Sequence, residues 1–254
     1  MQKFLVILVM LALGAYAAAC LALFVMQRSL IYYPTAGAAY PAPHVSTLEV
    51  PGASLKVSER PAAGHGAVIY LGGNAEDVSA SLPLLDAAYP DRALYLLHYR
   101  GYGGSTGKPS EEELVHDALA LFDKVAPEHG DIVVVGRSLG SGVAVQLATQ
   151  RPVRRLVLVT PFDSLRDLAA QQFPYFPVRW LLRDRYESWR HAPKITAPTL
   201  IVAAANDEII PLDSTRRLFT RFAPNVATMQ VIEGAGHNSI SNGPEYIRAL
   251  TWAR

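Results

Sequence analysis

Ile132-Val133-Val134-Val135-Gly136-Arg137-Ser138-Leu139-Gly140-Ser141-Gly142-Val143-Ala144-Val145 joins a strand pattern to a helix pattern through Ser138. Its first four residues are all β-branched, which suits a strand buried on both faces. The residues after Ser138 are small and apolar and read as a helix that continues through Val143–Gln150. Between the two lies Gly-x-Ser-x-Gly. A serine at a sharp strand-to-helix turn projects its hydroxyl clear of the sheet, in a strained backbone conformation. Gly136 and Gly140 leave room for the chain to pack closely on either side. The helix N-terminus adds partial positive charge where an oxyanion would develop. Ser138 is therefore a candidate nucleophile.

The rest of the chain continues the pattern. Val45–Val50 and Leu55–Glu59 read as an opening pair of strands, followed by Ala67–Leu71, Ala93–His98, Leu156–Val159, Leu200–Ala204 and Met229–Ile232. Helical patterns lie between them at Glu111–Val125, with Ser110 as N-cap, at Asp213–Phe222 and at Asn238–Ala253. Strands alternating with helices predict a doubly wound α/β sheet, mostly parallel and covered on both faces. A dinucleotide-binding fold would need Gly-x-Gly-x-x-Gly straight after a strand. The glycines of Gly101–Gly107 have the wrong spacing and are followed by Pro109.

A serine hydroxyl needs a base to take its proton. Of the seven histidines, His237 follows Gly234-Ala235-Gly236 just after the final strand, where a loop presents a side chain to a site. His98, at an earlier strand end, is the second choice. The imidazole in turn needs a carboxylate to fix its tautomer. Asp207 follows Leu200–Ala204, and Glu208 and Asp163 are the alternatives. The order Ser138, Asp207, His237 is that of the α/β-hydrolases. Two backbone N–H groups should face the oxyanion: Leu139, next to the serine, and Asn74, in the loop Gly72-Gly73-Asn74 after Ala67–Leu71.

These residues resemble the α/β-hydrolase superfamily over almost the whole region after the N-terminal segment. More closely, the chain looks like the single-pass, membrane-anchored members of its serine aminopeptidase-like branch. That match is carried by Phe24-Val-Met-Gln-Arg-Ser-Leu-Ile-Tyr-Tyr-Pro34, by Tyr99-Arg100-Gly101-Tyr102-Gly103-Gly104-Ser105-Thr106-Gly107, and by Ile195-Thr-Ala-Pro198-Thr-Leu-Ile. The resemblance implies the α/β-hydrolase fold, an eight-stranded mostly parallel sheet, and a triad of Ser138, Asp207 and His237. One departure stands out. The family usually has His-Gly at the oxyanion loop, and here Gly72-Gly73 stands instead. The Asn74 N–H survives that change, but a side chain that normally braces the loop does not.

The setting is read from composition. The chain has 254 residues, half of them hydrophobic, and a net charge of +1 with no basic block or acidic tail, so nothing suggests nucleic acid. The single cysteine, Cys20, excludes a disulfide framework. From Phe4 to Met26 there is no charge and no proline, about 34 Å as a helix, enough to span a bilayer core of about 30 Å. Residues 1–28 are read as an uncleaved membrane anchor, with Tyr32 and Tyr33 as an interfacial anchor. A signal peptide cut near Ala17-Ala18-Ala19, or lipidated at Cys20, is the competing reading. The charges of Lys3 and Arg28 lean towards a catalytic domain outside the cytoplasm. Residues 29–44 read as a linker and 45–254 as the hydrolase domain.

About 40 residues separate Val159 from Thr199, far more than a usual α/β connection. They read as a small helical cap over Ser138, at about 161–195. Its aromatics, Phe173 to Trp189, suit either an acyl-binding surface or the cap's own packing. Arg179, Arg183, Arg185 and Arg190 suit a solvated face or anionic head groups. The expected activity is hydrolysis of a carboxylic ester or thioester, with no cofactor or metal and an acyl substrate, lipidic ones included. A peptidase or amidase using the same triad is the alternative, and a non-catalytic binding protein is the third reading.

Overall fold

Residues 1–37 and 42–253 are described by a computed structural model; the part of the expected linker at 38–41 lies outside them. Eight strands form one sheet: β1 (His44–Val50), β2 (Ala53–Arg60), β3 (Gly66–Leu71), β4 (Ala93–Leu97), β5 (Asp131–Arg137), β6 (Arg155–Val159), β7 (Thr199–Ala204) and β8 (Ala227–Ile232). Their order is β1-β2-β4-β3-β5-β6-β7-β8. β1 and β2 pair antiparallel, β2 joins β4 antiparallel, and every later pairing is parallel. This is the α/β-hydrolase fold, with each expected strand in place.

The sheet is buried on both sides. Alternate residues of the central strands separate into two clusters. Ile69, Leu71 and Val134 join Leu114, Leu121, Val145 and Leu147. Val68, Tyr70, Val133 and Val135 join Leu85, Tyr246 and Leu250. The helices α3 (Glu111–Val125) and α4 (Leu139–Ala148) therefore cover one face, and α2 (Leu82–Ala88) and α9 (Pro244–Thr251) the other. At the start of α3 the Ser110 hydroxyl accepts the Glu113 N–H at 3.3 Å, and three glutamates in the first turn oppose the helix dipole. The expected helix at Asp213–Phe222 is α8 (Leu212–Phe219), and the C-terminal pattern resolves into a single turn before α9.

The N-terminal helix α1 runs from Gln2 to Ile31 and is long and apolar enough to cross a membrane. Ser29–Ile31, placed in the linker by the sequence, are its last turn. Tyr32 differs from its expected interfacial role. It is buried at 2% exposure, and its hydroxyl meets Asp184 at 3.1 Å and Tyr186 at 3.0 Å. The reason is that the end of α1 docks onto the segment between β6 and β7. That segment contains α5 (Leu165–Gln172) and the single-turn helices α6 (Val178–Leu181) and α7 (Ser188–His191), as expected of a small helical cap.

Candidate active site

The parallel strands deliver all the candidate residues to one edge of the sheet, beyond their carboxyl ends, where open α/β sheets place ligands. Ser138 joins β5 to α4 with φ 49° and ψ −116°. Positive φ is costly for a residue with a Cβ and persists only where the surroundings impose it. Here the surroundings are close. A Cβ on Gly140 would lie 2.0 Å from the Leu71 carbonyl oxygen and 2.5 Å from that of Gly72. A Cβ on Gly136 would lie 2.6 Å from both the Ala144 Cβ and the Gly140 oxygen. Both glycines of the motif are therefore required by packing, and the turn they allow leaves the serine hydroxyl clear of the sheet.

Asp207 follows β7 and His237 follows β8. Ser138 Oγ lies 2.9 Å from His237 Nε2, and His237 Nδ1 lies 2.8 Å and 3.0 Å from the two Asp207 oxygens. The His237 and Asp207 side chains are only 5% and 3% exposed, so the pair is shielded from competing water. Asp207 is itself fixed, because its Oδ1 accepts the N–H groups of Ile209 at 3.0 Å and Ile210 at 2.7 Å. This arrangement lets imidazole receive the serine proton at Nε2 while the carboxylate holds Nδ1–H.

The alternative residues are placed elsewhere. Glu208 accepts the backbone N–H of His237 at 2.9 Å, and that bond, with the one from its own N–H, holds its carboxyl below the usual range. It steadies the histidine loop and leaves the imidazole to Asp207. Asp163 is bound by the Ser214 hydroxyl at 2.6 Å and by Arg217 at 2.6 Å. His98 is buried, with Nε2 2.8 Å from the Ser58 hydroxyl.

Leu139 and Asn74 both border the cavity at Ser138. Among the described residues neither backbone N–H has an acceptor. The loop bearing Asn74 is braced despite its Gly72-Gly73. The Glu76 carboxylate accepts the Gly73 N–H at 2.6 Å, the Tyr70 hydroxyl at 2.6 Å and the Ser81 hydroxyl at 2.8 Å. Tyr99 donates to the Gly72 oxygen at 3.0 Å. The Asn74 side chain reaches the end of α1, donating to the Ile31 oxygen at 2.6 Å and accepting the Tyr33 N–H at 3.0 Å and the Tyr102 hydroxyl at 2.8 Å. None of these partners was legible in the sequence. The one local signal was Glu76, a carboxylate three residues after Gly73.

A cavity of about 540 Å³ opens onto Ser138, within the usual range for small-molecule sites. Its walls are mostly apolar and come from three sources: Leu23, Phe24 and Ile31 of α1, Leu165, Phe173 and Phe176 of the cap, and Phe162 and Ile210 near the strand ends. Phe173 and Phe176 thus face the site, while Trp189 stacks under Arg190 and Arg221. Two of the cap arginines are paired, Arg179 with Asp167 at 2.8 Å and Arg190 with Glu187 at 2.9 Å. Arg183 lies over the Phe24 ring and Arg185 donates to the Leu182 oxygen. Among the described residues no group of three His, Cys, Asp or Glu side chains is placed to hold a metal.

The sheet order, the serine elbow and the two loops that follow it define an α/β hydrolase. A family model described as the alpha/beta hydrolase family matches residues 50–191, and the chain belongs to that family. An uncharacterised protein of Mycobacterium tuberculosis (strain H37Rv) is 36% identical over 230 residues, 84% of this chain and 80% of that protein. A lysophosphatidylserine lipase of Mus musculus is 30% identical over 224 residues, which is 74% of this chain but only 56% of the lipase. Among solved structures, a monoacylglycerol lipase of Paleococcus ferrophilus aligns with a TM-score of 0.61 at 21% identity, covering 78% of this chain and 98% of that one. An esterase of Pyrococcus furiosus aligns with a TM-score of 0.67 at 17% identity, covering 87% and 97%. At those identities the structures establish the fold alone.

Proposed function

We propose that this protein is a membrane-anchored serine hydrolase that cleaves a carboxylic ester or thioester of an apolar acyl chain. One observation carries the reading: the continuous chain from Ser138 Oγ through His237 to Asp207, with contacts of 2.9 Å and 2.8 Å, built on a serine of positive φ. His237 Nε2 takes the Ser138 proton as Oγ bonds to the acyl carbon. The carbonyl oxygen becomes an oxyanion held by the N–H groups of Leu139 and Asn74. The intermediate collapses, and the leaving alcohol or thiol departs with the proton from His237. Water then attacks the acyl-serine, giving its proton to His237, and the carboxylic acid is released as Ser138 recovers that proton.

The apolar cavity at the serine supports an acyl substrate, and the lipase and esterase names of the relatives and structural neighbours agree with it. On this reading α1 is an uncleaved single-pass anchor, and the catalytic domain lies on the non-cytoplasmic side. The test is a graded panel of acyl esters, thioesters and amides offered to the purified protein and to Ser138→Ala. Long and medium acyl esters or thioesters should be cleaved best, and only by the unaltered protein. Fastest cleavage of short water-soluble esters would overturn the acyl-chain reading, and preferential cleavage of amides would transfer the activity to a peptidase.

A further inference from the structure

The contacts between α1 and the cap form a ladder that descends in step with both segments. Arg28 pairs with Asp184 at 3.1 Å. Gln27 accepts the Arg183 N–H at 2.7 Å. Phe24 lies 4.4 Å beneath the Arg183 guanidinium. Twelve residues from Arg28, Tyr16 stacks on Phe176 with ring centres 6.0 Å apart and donates to the Tyr175 oxygen at 2.9 Å. The cap therefore runs down the side of α1 towards its N-terminus for about 18 Å.

That geometry sets where a bilayer can lie. With Lys3 beyond the far face, about 30 Å of hydrocarbon extends from Phe4 to about Leu23. Arg183, over Phe24, then sits at the near boundary, where an arginine keeps its charge in water and its stem in an apolar layer. Tyr16 lies about 10 Å inside that boundary, and the segment packed on it must lie there too. This segment has the composition such a position demands. From Gln171 to Val178 there is no charge. Tyr175 and Trp180 are both 85% exposed, which is unusual for large aromatics on a water-facing surface. The wall of α1 and the wall of the cap meet in one groove, which reaches from Ser138 to Leu23, Phe24, Phe173 and Phe176, the residues at the level of the outer acyl chains.

We infer that the cap tip, Phe173–Pro177 with Trp180, is inserted in the membrane leaflet beside α1, and that the groove between them takes the acyl chain of a bilayer-resident ester laterally from that leaflet. The anchor is then one wall of the acyl site as well as a tether. This rests on the serine-hydrolase reading only for what happens at Ser138; the insertion itself does not depend on it. An amphipathic element seated at a membrane interface buries its apolar side about 5–10 Å deep, which matches the depth of Tyr16 and Tyr175. Neither Tyr175 nor Trp180 borders the cavity, so each can be altered without changing the site.

The experiment uses the full chain in phosphatidylcholine vesicles. Tyr175→Trp is compared in vesicles with plain and with acyl-brominated lipid, in a background with Trp180, Trp189 and Trp252 all replaced by Phe, and its fluorescence should fall by about twofold or more with the brominated chains if the tip lies within the acyl layer. Unquenched fluorescence at the wavelength of a water-exposed indole would overturn the insertion. In parallel, Tyr175→Glu and Trp180→Glu should cleave a long-chain monoacylglycerol embedded in the vesicles about tenfold or more slowly, while cleaving p-nitrophenyl butyrate from solution at the unaltered rate. Equal losses on both esters, or a loss on neither, would overturn lateral loading. If the unaltered protein cleaves neither ester and does not label at Ser138, the hydrolase reading fails, and the quenching result still decides the insertion.

Discussion

The Asn74 side chain makes a specific prediction, because it ties the loop of a candidate oxyanion donor to the end of α1. In Asn74→Ala the backbone N–H remains. Besides a local bond from the Ala75 N–H at 3.1 Å, what is lost is three links to the loop's neighbours: the bond to the Ile31 oxygen at 2.6 Å, the bond from Tyr33 N–H at 3.0 Å and the bond from the Tyr102 hydroxyl at 2.8 Å. Each net hydrogen bond is worth about 1 kcal/mol, so the three together hold the loop by about 3 kcal/mol at most. Tyr33 N–H keeps a second acceptor, the Tyr102 oxygen at 2.9 Å, and Glu76 still holds Gly73, so a loss of about 1–2 kcal/mol at the transition state is expected. That corresponds to about a tenfold lower kcat, smaller than the 10²–10³ expected for removing an oxyanion donor outright. Steady-state kinetics on a short nitrophenyl ester reads the change. A fall in kcat with a near-constant KM is the expected signature, and Tyr102→Phe should show a lesser fall. A folded Asn74→Ala protein with unchanged kcat/KM would refute the link between helix end and loop. A higher KM at unchanged kcat would place Asn74 in substrate binding instead.

Asp207→Asn should leave the fold intact and lower kcat about 10³–10⁴-fold, because the amide disturbs the imidazole tautomer that Asp207 now fixes; an effect below tenfold in esterase assays would remove Asp207 from the mechanism. Gly140→Ala would drive a Cβ to 2.0 Å from the Leu71 oxygen, a clash with backbone that no rotamer relieves. It should cost more than about 3 kcal/mol, seen as a lower urea midpoint or failure to accumulate as folded protein. For Glu208, acceptance of the His237 N–H depresses the carboxyl, so its contribution is present above the ordinary glutamate pKa and fades as pH falls through the lowered folded value. The stability gap between the unaltered protein and Glu208→Gln should thus be constant from about pH 6 upward and shrink only below about pH 4, as measured by urea unfolding at each pH.

The sheet was legible because its signals are local. Val133–Val135 and Leu156–Val159 are apolar on both faces, and a parallel strand covered by helices needs that composition. The serine elbow was legible because strand, glycines and helix are contiguous there. α2 was missed because it is short and begins Leu82-Pro83-Leu84, where proline reads as a break but occupies the first turn of the helix. The cap helices α6 and α7 are single turns, too short for any periodicity to show. Tyr32 is far in sequence from Asp184 and Tyr186, so a buried hydroxyl cluster between the end of α1 and the cap has no local pattern. The same holds for Asn74: the loop and its N–H were legible from the strand before them, while the side chain's partners in α1 were set by docking alone.

The proposed reaction turns on Ser138 acting as a nucleophile activated by His237. The most direct measurement is covalent labelling of the full chain with a fluorophosphonate, with the adduct mapped by peptide mass. One adduct is expected on Ser138, none in Ser138→Ala, and labelling should slow by orders of magnitude in His237→Ala. An adduct on another residue, or labelling that persists in Ser138→Ala, would contradict it.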